Sequence, residues 1–429
     1  MVQKIGVVGL GTVGGEVARR LQDRSGTLTT RTGTTVELSA VAEPAVPESF
    51  EHRLEGLDLY EDAEELIDQA EVDILVGLIG GLNPAGRIVE RALKSGMDVV
   101  TANKELLAHD GEKLFKTARE TGQRIRFEAA VGGCIPVVRS IREAMVDADF
   151  EAIYGIINGT SNYVLTRMEH DGLQFEEALQ LAQEKGYAEA DPSYDVEGTD
   201  TAHKIALLAG LGFGTRVTLD EIYCRGIRRI QPEIMRDAEQ FGYKIKLLGL
   251  TKQTDRGLDT RVHPTLIPED SALAAIQYEY NAVLTQGTPV GRNMLTGKGA
   301  GGGPTATAVI GDIISLARNS NQTRAPYYYG GTEHRTVPIE EVESRFYLRL
   351  MAQDEPGVLS KVTTILSNHD ISIDSVIQRG RSEDNLVPVV LTTHEASQGS
   401  MDSAVGTIAD LDVIGEDPVS LHIEEDFEK

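Results

Sequence analysis

The chain has 429 residues, a hydrophobic share of 41% and a formal charge of -26, with arginine outnumbering lysine. That length carries two or three domains, and that charge excludes nonspecific attachment to nucleic acid or an anionic membrane while being compatible with a high-salt cytoplasm. The two cysteines, Cys134 and Cys224, form no disulfide framework, and with no signal peptide or membrane-length apolar run to read, a reducing, cytoplasmic location is expected.

Residues 4–9 read as a short buried strand. Gly9-Leu10-Gly11-Thr12-Val13-Gly14 follows as a G-x-G-x-x-G turn before a helical run to Leu21. In this pattern Gly9 allows the tight turn, Gly11 lets the backbone approach a pyrophosphate, and Gly14 lets helix and strand pack closely. The phosphates meet the helix amino terminus. Beyond a polar insert at 23–35, a second strand at 36–42 ends at Glu43. A carboxylate there can bond both ribose hydroxyls of an adenosine and repel a 2′-phosphate, which favours NAD over NADP. A helix at 61–69, a strand at 72–79, a helix from Pro84 to Ser95, a strand at 98–101, a helix at 105–121 and a strand at 124–130 follow. This alternation predicts a doubly wound parallel sheet of the Rossmann type. Lys104, after Thr101-Ala102-Asn103, lies at the strand end where such sheets bind ligands. Glu128 opens a glycine-rich bend whose carbonyls suit a hard monovalent cation, and Cys134 on the same bend is a candidate nucleophile for aldehyde oxidation.

A helix from Pro136 leaves this domain, and a strand at 150–157 leads into the polar turn Asn158-Gly159-Thr160-Ser161-Asn162. Its hydroxyls, amides and following helix suit a carboxylate. After a helix at 175–184 comes the acidic loop 185–204, carrying Glu189, Asp191, Asp195, Glu197 and Asp200 with a lysine at each end. Asp200 and Lys204 are four apart at a helix start, so they share one face. A lysine held among carboxylates where water is excluded can pass a proton. Runs at 245–251, 259–264 and 278–284 predict a mostly antiparallel sheet able to pair subunits. The glycine-rich stretch 295–304, with a helix to Ala317, is expected to return to the cofactor and close over it.

Residues 321–344 read as a polar connector containing Tyr327-Tyr328-Tyr329. Beyond it, a strand at 346–352, a helix at 356–368, strands at 371–378 and 386–393, a helix at 401–411 and a strand at 418–424 give a ferredoxin-like βαββαβ order. Asp354-Glu355-Pro356-Gly357-Val358-Leu359 at its first turn resembles an ACT domain, a small regulatory module for amino-acid effectors.

Taken together, the glycine turn, Gly80-Gly81 with Pro84, Thr101 to Lys104, Asn158 to Asn162, Lys185 to Pro192, Asp195 to Lys204 and the glycines at 297–303 resemble homoserine dehydrogenase over roughly residues 1–330. With no aspartokinase-like segment ahead of them, the monofunctional form is the one resembled. The resemblance implies reversible reduction of L-aspartate 4-semialdehyde to L-homoserine with NAD or NADP, in the route to threonine and methionine. It implies Lys204 as proton donor to the carbonyl oxygen, with Glu189 and Asp200 at the substrate's amino end. Asp195 joins them as a carboxylate for that ammonium, and Thr160 belongs to the turn for the substrate carboxylate. Lys104 would contact cofactor or substrate, and Thr12, Val13, Gly186 and Gly302 would line the cofactor beside Gly9, Gly11, Gly14 and Glu43. Glu128, Val131, Gly133 and Ile135 match a sodium-binding loop. Members of the family often carry a basic residue where Glu43 stands, which again favours NAD. The terminal module implies feedback, with L-threonine held by amides near Gly357, and the family implies a homo-oligomer, dimer or tetramer. The expected division is a Rossmann domain at 1–136 completed by about 300–320, a catalytic and dimerisation domain at 137–299, the connector at 321–344 and the ACT domain at 345–426. Two other readings compete. One is a semialdehyde dehydrogenase working through Cys134; the other is a non-catalytic amino-acid sensor.

Overall fold

A computed structural model describes residues 2–318, 335–378 and 386–428. They fall into two compact units that alternate along the chain. The first holds Met1–Gly159, Asp200–Asp220 and Tyr280–Glu333, and the second Thr160–Thr199, Glu221–Glu279 and His334–Lys429.

The first unit is built on six parallel strands. From edge to edge they are Asp58–Tyr60, Val36–Ala42, Gln3–Val8, Ile74–Gly77, Asp98–Thr101 and Ile125–Arg126. The strand order reverses between Gln3–Val8 and Ile74–Gly77, and that reversal opens the crevice in which doubly wound sheets take nucleotides. These strands are apolar on both faces because both faces are covered: Ile5, Val7, Ile74 and Val76 are all buried. The helix Gly302–Arg318 packs with the helix Thr12–Asp23, and Val17, Leu21, Val309 and Ile313 belong to one buried cluster. The expected return of the chain to the nucleotide domain is therefore present. Three antiparallel strands, Asp149–Ile156, Tyr280–Thr288 and Gly291–Lys298, complete the unit, with Tyr280–Thr288 in the middle.

Several boundaries differ from the sequence reading. The polar insert contains the helix Ser25–Thr32, none of whose residues is buried, so it has no apolar stripe by which to be recognised. The strand expected at 124–130 stops at Arg126 and gives way to a 3₁₀ turn, Glu128–Ala130. The Glu128 carboxylate draws the amides of Val138 and Arg139 onto itself, which bends the chain out of the sheet. The helix from Pro136 is a short Val137–Arg139 turn running into a π-helix, Ser140–Ala144. The glycine-rich stretch begins inside the strand Gly291–Lys298.

The second unit contains the helices Gly159–Asp171, Phe175–Glu184 and Pro232–Gln240 and a long hairpin of Tyr243–Thr254 with Gly257–Pro268. Residues 160–162, expected in a turn, are the first turn of the Gly159–Asp171 helix. The terminal module has the expected ferredoxin-like order: Val419–Ile423, Glu343–Gln353, Leu386–Thr393, Ile373–Gln378. Its helices Val358–Asn368 and Gln398–Ala409 cover one face of that sheet around Val362, Leu366, Met401 and Ile408. The module is not a separate bead. Val419–Ile423 also pairs in parallel with Gly257–Pro268, through Thr265 with His422 and Leu266 with Ile423. Polar contacts flank that seam. Arg261, 1% exposed, meets His422 Nδ1 at 2.7 Å, Lys252 donates to Glu424 at 2.7 Å, and Arg349 donates to Asp237 at 2.9 Å. Of the expected connector, residues 321–334, including the tyrosine run, lie outside the described residues. Among the described residues no helix is long and apolar enough to cross a membrane.

Candidate active site

The glycine turn shows why its sequence is what it is. Gly9 has φ +94, and a Cβ on Gly14 would sit 1.8 Å from Gly9 O, so a side chain at either position is incompatible with the turn. At Gly11 an added Cβ would meet nothing within 4 Å. Gly11 caps the Thr12–Asp23 helix without a side-chain hydrogen bond, and its first turn carries no acid, so the helix amides face open space. That is the geometry an anionic pyrophosphate requires. Glu43 reaches back to this turn, accepting the Leu10 amide at 2.5 Å. A Cβ on Gly302 would come within 3.1 Å of Thr12, so the Gly302–Arg318 helix begins against the cofactor turn.

Asn103 closes the next strand end. Its side chain accepts the Leu106 amide at 2.9 Å as a helix cap, and its Nδ2 donates to Ile79 O and Gly81 O at 3.1 and 2.7 Å. This fixes the start of the Lys104–Thr121 helix and so the root of Lys104.

The first unit also gathers the residues expected to do the chemistry. Asp200 and Lys204 lie on the Thr199–Phe213 helix, 4% and 9% exposed. Lys204 Nζ donates to Asp200 Oδ2 at 2.6 Å and to Ile157 O at 2.7 Å. Asn158 Nδ2 donates to the same Asp200 oxygen at 2.8 Å, and Lys104 Nζ lies 3.2 Å from the other. Burial alone would raise the Asp200 carboxyl, but the charges of Lys204 and Lys104 and the donated hydrogen bonds outweigh it and hold the group at about 2. It is a fixed anion with a lysine on each oxygen. The resemblance places Asp200 at the substrate's ammonium; in the structure its carboxylate sits between the two lysines. His203, the next residue to Lys204, is 3% exposed and packs its ring 5.6 Å from that of His109.

The bend expected to hold a cation is pinned at both ends. Glu128 donates its amide to Asp312 Oδ2 at 2.7 Å, and its carboxylate is taken by the Val138 and Arg139 amides at 2.8 and 2.9 Å. The Glu128 carboxylate is thus tied to the start of the turn that follows. Burial and the Asp312 charge push Glu128 up to about 7. Burial likewise raises Asp312 to about 6, against the Glu128 amide and nearby arginines. A Cβ on Gly133 would fall 2.5 Å from Gly299 O, which packs the bend, including Val131 and Ile135, directly against the glycine-rich return. Sequence reasoning missed Asp312, whose signal was a lone acid within the apolar run of its helix. Cys134 on this bend turns its thiol to Lys298 O at 3.6 Å.

In the second unit the acidic loop is organised by the Gly159–Asp171 helix. Thr160 Oγ1 is 2.6 Å from Tyr187 O and 3.1 Å from Asp195 Oδ2, and Ser161 Oγ donates to Asp195 O at 3.0 Å. The hydroxyl of Thr160, expected to meet a ligand carboxylate, thus meets the loop itself. Glu189 is exposed, and Gly186 occupies a left-handed turn, φ +74, after the Phe175–Glu184 helix.

Comparison with known proteins matches this organisation. Residues 9–128 fit the family model of the homoserine dehydrogenase NAD binding domain, 136–314 that of homoserine dehydrogenase, and 346–425 that of the ACT domain. A homoserine dehydrogenase of Neisseria gonorrhoeae is 38% identical over 424 residues, covering 97% of each chain. One of Pseudomonas aeruginosa is 38% identical, covering 98% of this chain and 99% of its own. The crystal structure of a homoserine dehydrogenase from Thiobacillus denitrificans matches with a TM-score of 0.93 at 37% identity, covering 99% of both chains. Full-length likeness of this kind displaces the readings as a Cys134 enzyme or a non-catalytic sensor. The chain belongs to the homoserine dehydrogenases, oxidoreductases whose nucleotide-binding and catalytic segments are here followed by an ACT domain.

Proposed function

We propose that the chain interconverts L-aspartate 4-semialdehyde and L-homoserine with a nicotinamide cofactor, on the route to threonine and methionine. The observation that carries this reading is the buried cluster of Lys204, Asp200, Asn158 and Lys104. A nicotinamide cofactor held at the glycine turn would give hydride to the aldehyde carbon or take it from the carbinol carbon. Reduction leaves an alkoxide, and Lys204 Nζ gives it a proton; in the oxidising direction the same amine takes one. Asp200 and Ile157 O aim that amine, and Asp200 holds Lys104 on its other oxygen. Glu189 and Asp195 receive the substrate's ammonium.

The cofactor contacts are Gly9, Gly11, Thr12, Val13, Gly14, Glu43, Lys104, Gly186 and Gly302, and NAD is preferred over NADP. The carboxylate of Glu43, fixed at the pyrophosphate turn, supports that preference because a 2′-phosphate would meet like charge. Glu43→Ala is expected to narrow the ratio of NAD to NADP efficiency, and an unchanged ratio would remove Glu43 from the ribose. Main-chain oxygens of Glu128, Val131, Gly133 and Ile135 take sodium. L-Threonine acts at the terminal module, where Gly357, φ +95, opens the uncapped Val358–Asn368 helix. The enzyme is a cytoplasmic homo-oligomer, and the strand Gly291–Lys298, at the edge of its sheet, is the surface for pairing.

Initial rates of homoserine oxidation with NAD and with NADP, in sodium or choline salts, with and without threonine, test these points together. No homoserine-dependent reduction of either cofactor would overturn the reading.

A further inference from the structure

Lys246 is 0% exposed, in the middle of the strand Tyr243–Thr254. A buried lysine is costly and persists where its donors are used. Lys246 Nζ donates to Ile276 O at 2.6 Å and to Asn162 Oδ1 at 3.4 Å. An ammonium only donates. It therefore fixes the Asn162 amide with its oxygen towards Lys246 and its Nδ2 towards two carbonyls, Ile276 O at 3.3 Å and Tyr278 O at 2.9 Å. Reversed, that amide would set its oxygen against both carbonyls.

Thr166, one turn further along the helix, closes the latch. Its hydroxyl donates to Asn162 O at 2.7 Å and accepts the Tyr278 amide at 3.0 Å. Tyr278 is held in the left-handed region, φ 55, a conformation that needs such restraint. The same helix start carries Thr160 and Ser161, which hold Asp195, and Tyr163, whose ring lies 5.0 Å from that of Tyr187 and 6.2 Å from that of Tyr278.

We infer that Lys246 is a positioning residue for substrate binding: through Asn162 it latches the 276–278 segment to the Gly159–Asp171 helix and so sets the acidic loop. This rests on the reading of that loop as the seat of the substrate's ammonium. The latch touches none of the glycine-turn contacts, and of the proposed cofactor contacts only Gly186 shares the loop it sets, so loosening it affects the amino-acid substrate first and the nucleotide less.

The test is homoserine oxidation by the full chain. Lys246→Met is expected to raise the homoserine KM about tenfold while kcat and the KM for NAD stay within about twofold. Thr166→Val, which breaks the latch without disturbing the lysine, should do the same and keeps the question answerable if Lys246→Met fails to fold. Thr166→Ser retains the hydroxyl and should retain the KM. A homoserine KM unchanged in Thr166→Val, or a parallel fall of kcat, NAD affinity and melting temperature without a KM split, overturns the inference. Glu189→Gln, run beside these, separates the two ideas. If it raises the homoserine KM and the latch variants do not, the seat stands and the latch is wrong. If only the latch variants raise it, the latch stands and Glu189 is not the seat.

Discussion

Lys204 is the residue whose loss the cluster makes most specific. Its amine is tied to Asp200 and Ile157 O, and neither contact belongs to the glycine turn. Lys204→Met should therefore keep the fold and the nucleotide affinity and lower kcat by roughly a hundredfold or more, the scale of general acid–base catalysis. Near-normal turnover in that variant, with NAD binding checked by fluorescence, would take the proton transfer away from Lys204. Lys246 leaves a different trace. Burial, opposed by Glu169, lowers its amine to about 8 from the 10.5 of an exposed lysine. Between those values the unfolded chain binds more protons than the folded one, so stability climbs with pH there, by up to about 1.4 kcal/mol per unit. The full cost is present below the lower value. Urea unfolding across that window should show a rise in the parent chain that Lys246→Met lacks; equal slopes would contradict the burial. The two lysines also differ in legibility. Lys204 stood out because Asp200 lay four residues away on a helix. Lys246 did not, because in Tyr243-Lys244-Ile245-Lys246 it alternates as a solvent-facing residue would, whereas it and Ile245 are both buried.

At the scale of elements, the glycine turn and its helix were readable because the constraint is local. Gly14 answers to Gly9 O five residues away, and Gly9 to its own left-handed φ. Gly14→Ala should weaken NAD binding by at least about tenfold, since the added methyl must push the helix off the strand. A dissociation constant near that of the parent chain would show that the turn can give. The six-strand alternation was readable for the same reason: buried parallel strands are apolar throughout. What escaped was set by distant partners or by the lack of any. The strand Gly291–Lys298 is mostly exposed and owes its state to pairing with Tyr280–Thr288. The bend at Glu128 depends on amides ten residues further on and on Asp312, 184 residues away. The helix Ser25–Thr32 has no fully buried residue and touches the core only through the half-buried Leu28.

For the whole molecule, the terminal module's attachment changes how its role can be tested. Cutting the chain before Arg345 removes His422 from the buried Arg261 and Glu424 from the half-buried Lys252. It also strips a strand from the edge of Gly257–Pro268. Loss of threonine inhibition in such a truncation would not identify a sensor, because the hairpin of Tyr243–Thr254 with Gly257–Pro268 is exposed at the same stroke. The truncated chain should melt well below the full chain and bind hydrophobic dyes; an unchanged melting temperature would show the seam to be dispensable. Gly357→Ala, confined to the cap of the Val358–Asn368 helix, is the cleaner probe of the proposed inhibition.

The chain crosses between its two units five times, and the helix that finishes the nucleotide-binding face, Gly302–Arg318, comes from its final third. During synthesis, the Thr12–Asp23 helix emerges from the ribosome long before its packing partner exists. Val17 and Leu21 can pack with Ile5, Val36 and Val41 early, but their cluster is complete only once Val309 and Ile313 are translated. The nascent nucleotide domain therefore lacks one layer of its core until the final third is translated, and a contiguous amino-terminal fragment should bind NAD more weakly than the full chain, as titration of the two would show.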